Sequence, residues 1–143
     1  MKRFKFNMEK ILQLRKFKEE ECKLALGQAI SALNKIENDI KMTAVKHHEA
    51  SLERFKNPLE TSSWEIYILR LEQETEKLSQ KAAQAEIIVE DKRALYLEAR
   101  KDLEAMEKLK EKQQKEYRKE YLISEMNQVD EITSSRLGIL ANN

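Results

Sequence analysis

The sequence predicts an all-α fold: two long helices forming an antiparallel coiled-coil hairpin, the second helix longer than the first. Three observations predict it. Ala, Glu, Lys, Arg and Leu make up 55% of the 143 residues, the composition of long helices rather than of a packed globule. Two glycines and one proline cannot supply the turns that a β-sandwich or an α/β enzyme needs. Apolar residues recur in alternating steps of four and three, the repeat of a left-handed supercoil. With 41% hydrophobic residues so placed, the chain does not read as a disordered tail.

The expected elements follow in order. Asn7 is placed to cap a first helix over about 8–55, with Phe6 and Ile11 as a hydrophobic staple. Its stripe is Cys22, Leu26, Ala29, Leu33, Ile36 and Ile40. Nearer the start it shifts to Ile11, Leu14 and Phe17, which predicts an interrupted register there. The only proline, Pro58, disfavours helix at Asn57, so a turn is expected over about 56–62. Ser62 with Glu65 reads as a capping box that starts a second helix near Ser63. That helix is expected over about 63–136, with Gly138 as its stop. Its seam runs Trp64, Ile68, Leu71, Thr75, Leu78, Ala82, Ala85, Val89, Lys92, Tyr96, Ala99, Leu103, Met106, almost all apolar.

A short loop between two such helices favours an antiparallel hairpin, in which each stripe is buried by the other. Residues 1–143 then form a single coiled-coil domain. At 1.5 Å per residue the helices would measure about 72 Å and 110 Å. The second would outrun the first by about 20 residues, leaving the segment after about Lys115 without an intramolecular partner. That segment still carries Tyr117, Tyr121, Leu122, Ile123, Met126, Val129 and Ile132, a reason to expect another protein.

Several functions are disfavoured. Net charge is +1, so no global charge argues for nucleic acid or membrane. Locally, residues 1–18 carry seven basic side chains against one acid and residues 108–121 six against three, so the free end of a hairpin would be basic. The lone Cys22 fits a reducing, cytosolic setting and a packing role. No apolar run approaches the roughly 20 residues of a membrane span, and polar residues after Met1-Lys2-Arg3 argue against a signal peptide. His47 and His48 are adjacent, so they diverge on a helix and do not suit a shared metal. No Gly-rich loop can cradle phosphate, and no constellation supports an enzyme or a cofactor. The basic amphipathic start (Phe4, Phe6, Met8, Ile11, Leu14, Phe17) could lie on an anionic membrane, although most such stripes pack against helices. Stacking aromatics are too sparse to favour nucleic acid. Trp64 and Tyr67, at the turn end, are either a core plug or a docking knob.

Three places resemble the flagellar export protein FliJ family across nearly the whole chain. The first is Phe4-Lys5-Phe6 with Met8, Ile11-Leu12, Leu14-Arg15 and Glu19. The second is Ser62-Ser63-Trp64 with Tyr67 and Leu71. The third is Glu125-Met126-Asn127-Gln128-Val129-Asp130-Glu131, where the family usually has a basic residue at one of the two middle amides. The resemblance implies an antiparallel coiled coil similar to the central stalk of rotary ATPases. Such proteins bind the flagellar export ATPase hexamer with the free ends of both helices. They contact the cytoplasmic domain of the export gate protein, and some bind substrate chaperones. Carried over, ATPase contacts would be Phe4, Phe6, Leu12, Arg15, Met126, Asp130 and Glu131. Gate contacts would be Trp64, Tyr67 and Arg70. The expected location is the cytoplasm, peripherally at the inner membrane of the flagellar base. Two rivals remain: an export chaperone that holds secreted substrates, and a general scaffold or homodimer.

Overall fold

The computed structural model describes residues 2–142. It contains two α-helices, α1 (Glu9–Glu53, 45 residues) and α2 (Thr61–Asn142, 82 residues), packed against each other as a helical hairpin. The packing divides into two compact units, one formed by Met1–Phe17 with Arg100–Asn143 and the other by Lys18–Ala99.

The start of α1 differs from expectation. The first i to i+4 bond runs from the Leu12 amide to the Met8 carbonyl at 2.9 Å, after a tighter bond from the Glu9 amide to Phe6 at 3.2 Å. Met8, not Asn7, is therefore the boundary residue. The expected staple does not close either, because Phe6 turns into a buried cluster while Ile11 is exposed.

The turn is built by side chains that supply what the backbone loses. The Asn57 Oδ1 accepts from the Leu59 amide at 3.1 Å, a local bond that Asn favours in turns. The Thr61 hydroxyl reaches back to the carbonyls of Arg54 (3.0 Å) and Asn57 (3.3 Å). The bond to Arg54 thus satisfies a carbonyl at the end of α1 that has no intrahelical donor, while the Asn57 carbonyl also accepts from the Glu60 amide at 3.0 Å. The Trp64 amide bonds to the Glu60 carbonyl, so α2 starts at Thr61. Ser62 consequently lies inside the helix, and the expected capping box there is not the start.

Gly138 does not stop α2, which continues to Asn142. A glycine ends a helix by adopting the left-handed conformation, and no glycine among the described residues has positive φ.

All thirteen expected seam positions of α2, Trp64 to Met106, are buried or half-buried, and every position between them is exposed. Along α1 the same rhythm runs unbroken through Leu12, Arg15, Glu19, Cys22, Leu26, Ala29, Leu33, Ile36, Ile40, Thr43, His47 and Ala50, none of them exposed. The expected register interruption is absent. Ile11, Leu14 and Phe17 face outward, and Leu12, only 1% exposed, faces in.

Candidate interaction surfaces

In the unit built from Met1–Phe17 and Arg100–Asn143, cross-helix partners have sequence separations that shrink along the chain. Lys2 and Tyr117 are 115 apart, Glu9 and Lys110 are 101 apart, and Arg15 and Asp102 are 87 apart. This is antiparallel packing. Phe6, Leu12, Leu103 and Met106 form its buried cluster, with Phe4 and Leu109 against it. Large side chains here exclude water and give the end of the hairpin its cohesion.

Polar groups complete this region. The Arg15 guanidinium, in a seam position, donates to the Asp102 carbonyl at 3.1 Å. The Lys110 ammonium bonds Glu9 at 3.0 Å and stands 6.0 Å from the Phe6 ring centroid. The bond from Lys110, aided by one from Gln13, holds the Glu9 carboxyl below its ordinary value, although its carboxylate remains exposed to solvent. The Tyr117 hydroxyl donates to the Lys2 carbonyl at 2.6 Å, and its ring lies 5.6 Å from Phe4.

The half-buried Tyr117 is where partner contact ends, slightly past the expected limit at Lys115. Beyond it nearly every position is exposed. Leu122, Met126, Val129, Leu137 and Leu140 fall along one stripe of α2, and Met126 is 66% exposed. Asp130 and Glu131 are exposed beside that stripe. A hydrogen bond to Glu125 pushes the Tyr121 phenol up from its ordinary value.

The residues expected to contact an ATPase therefore fall into two groups. Phe4, Phe6 and Leu12 are brought together in one cluster, with Arg15 bonded to Asp102 in the same unit, but Phe6 and Leu12 are buried and support a surface rather than touch a partner. Met126, Asp130 and Glu131 are accessible, about 14 Å or more past Tyr117 along α2. The basic amphipathic start is likewise split: Phe4 and Phe6 turn inward, Leu14 and Phe17 outward.

In the unit Lys18–Ala99, Ala50, Ile68 and Leu71 form a buried cluster with Trp64 packed against it. Tyr67 remains 39% exposed, edge-on to Trp64 at 6.0 Å between centroids. Trp64 is thus a plug and Tyr67 its exposed neighbour. Both border an open hollow of about 600 Å³ with Lys46, Glu49, Ala50, Glu53 and Ser63. Arg70 is exposed, and His47 meets Glu72 at 3.2 Å.

Two features escaped sequence reasoning. The α2 seam continues past Met106 through Lys110, Gln113 and Tyr117 in the same steps, hidden because these residues are polar. Arg15 and Glu19 occupy seam positions that their charge disguises. Counting the four-three repeat backward from Cys22 would have found both.

Among the described residues no acidic, His or Cys cluster could hold a metal ion, and no helix is long and apolar enough to cross a membrane. The surface instead offers an apolar helical overhang and an aromatic hollow, which defines a helical-hairpin interaction protein. The model of the flagellar FliJ protein family matches residues 4–138, and the chain belongs to that family. It is accordingly a component of the flagellar export apparatus. No curated protein and no solved structure matches it significantly.

Proposed function

We propose that this protein is a non-enzymatic coupling element of flagellar export. It binds the export ATPase hexamer through the region of Phe4, Arg15, Met126, Asp130 and Glu131, with Phe6 and Leu12 supporting that surface from within. It links the ring to the cytoplasmic domain of the export gate protein through Trp64, Tyr67 and Arg70, and takes up substrate chaperones as further partners. In this reading residues 1–143 act as one coiled-coil domain, in the cytoplasm at the flagellar base. Membrane contact is peripheral and indirect, and neither cofactor nor nucleic acid takes part.

The observation that carries this reading is the apolar stripe on α2 past Tyr117. An apolar face of this length left in water on an unpaired helix is a docking surface. To alter ATPase turnover, the protein must bind the ring's conformational states unequally. The test is hydrolysis by the purified export ATPase with and without the full chain. Turnover rises with the native chain and falls back when Met126→Asp is used. No binding and no change in rate would defeat the proposal.

A further inference from the structure

The exposed faces of the unit Met1–Phe17 with Arg100–Asn143 come as a complementary pair. On α1, Leu14 and Phe17 are 68% and 66% exposed, with Ile11 beside them. Toward the N-terminus their surroundings are basic: residues 2–18 carry Lys2, Arg3, Lys5, Lys10, Arg15, Lys16 and Lys18 against one acid, Glu9, which Lys110 already holds, and acids appear only from Glu19 to Glu21, past Phe17. On α2, Leu122, Met126 and Val129 line a shallow groove edged by Glu125 and Asp130. Between Lys119 and Arg136 that stretch has four acids and no lysine or arginine. Apolar stripe faces apolar stripe, with opposite charge at the margins.

The two faces cannot meet within one chain. Arg15 sits at the level of Asp102, and Met126 lies about 36 Å further along the same continuous helix. We propose that a second copy of this chain is the partner. The acidic stripe of each α2 overhang docks on the basic outer face of the other copy's α1, around Leu14, Phe17 and Lys10.

The offset from Leu14 to Met126 is the same in both copies, so two-fold symmetry makes the contact reciprocal. When one overhang covers the opposite α1, the other overhang covers the first. The assembly closes and does not propagate. Doubling the contact matters, because one short helix crossing falls below the roughly 1,200 Å² that stable interfaces bury. Two-fold pairing sets each overhang antiparallel to the partner copy's α2, and therefore parallel to its α1. Leu122, Met126 and Val129 then step past Ile11, Leu14 and Phe17 in nearly matching rises. Opposite charges orient the encounter and make it sensitive to salt.

This inference goes beyond the coupling role and stands apart from it: the dimer forms without any ATPase. Because it covers the stripe assigned to the ATPase, the second copy and the ring would compete. The test is sedimentation equilibrium of the full chain over a wide concentration range, with circular dichroism to verify helix content. The native chain forms a reversible dimer that added salt weakens. Leu14→Glu and Met126→Lys, both at exposed positions, each weaken it by about tenfold or more. The double variant Leu14→Glu/Met126→Lys sets opposite charges face to face at both contacts and dimerises again. A chain monomeric at every concentration overturns the proposal. So does a dimer lost with Met126→Lys but indifferent to Leu14→Glu, which would mean overhang against overhang. A double variant that stays monomeric overturns it as well.

Discussion

The two units solve the same packing problem with different side chains. In Lys18–Ala99 the seam mixes small residues, among them Ala29, Thr43, Ala50, Thr75, Ala82 and Ala85, with larger ones such as Leu26, Leu33, Ile36, Ile68 and Leu71. In Met1–Phe17 with Arg100–Asn143 the cohesion is concentrated in Phe6, Leu12, Leu103 and Met106, and past Tyr117 nearly every described position is exposed. A seam of mixed sizes spreads stabilisation along many turns. A cluster of large residues concentrates it in one place, just before a helix that stands alone. Most helical stability in proteins comes from packing of an apolar face, which the overhang lacks within its own chain. Binding energy from a partner can therefore order it, and this is the end where a partner is most needed.

The largest expected effect tests that concentration. Leu12→Ala should cost about 2–5 kcal/mol in urea unfolding, whereas Leu14→Ala should stay within about 0.5 kcal/mol. Equal effects would restore the interrupted register that apolarity alone suggests. Next, Thr61→Val removes the hydroxyl that reaches Arg54 and Asn57, and should cost about 0.5–1.5 kcal/mol at the turn.

A smaller effect concerns pH. The folded state lowers the Glu9 carboxyl below its ordinary 4.5, so its contribution is present above that value and lost as pH falls through the folded pKa. The gap in urea midpoint between the native chain and Glu9→Gln should therefore shrink as pH drops below 4.5. A gap that widens on acidification would contradict the Lys110 pairing. The smallest effect is at the overhang. Met126→Ala should leave stability unchanged, and amides beyond Tyr117 should exchange with solvent much faster than those around Leu71 or Leu103. Strong protection there in a dilute, unpartnered chain would erase the contrast between the regions.

Much of this was legible beforehand because a heptad seam is a one-dimensional signal. The α2 positions from Trp64 to Met106 were readable since nearly all are apolar, and the unpaired helix followed from the unequal lengths that Pro58 imposes. Capping was less legible. Ser62 and Glu65 have the right spacing for a box, yet the Thr61 hydroxyl takes carbonyls on the other side of the turn, a partner that spacing cannot reveal. Trp64 and Tyr67 were legible as plug or docking knob from their place at the turn, their grouping with Arg70 came from the resemblance, and the structure adds that Trp64 is packed while the other two are open.

What the sequence determined by itself is the pair of helices, the break at Pro58 and the seam of α2, because periodicity and a missing amide act locally. What only the tertiary structure decided is which way the first turns of α1 face. A straight helix cannot change register without a bulge. The phase set by Cys22 through Ile40 therefore carries back to Glu19, Arg15 and Leu12. It buries Glu19, half-buries Arg15 and leaves Ile11, Leu14 and Phe17 in water.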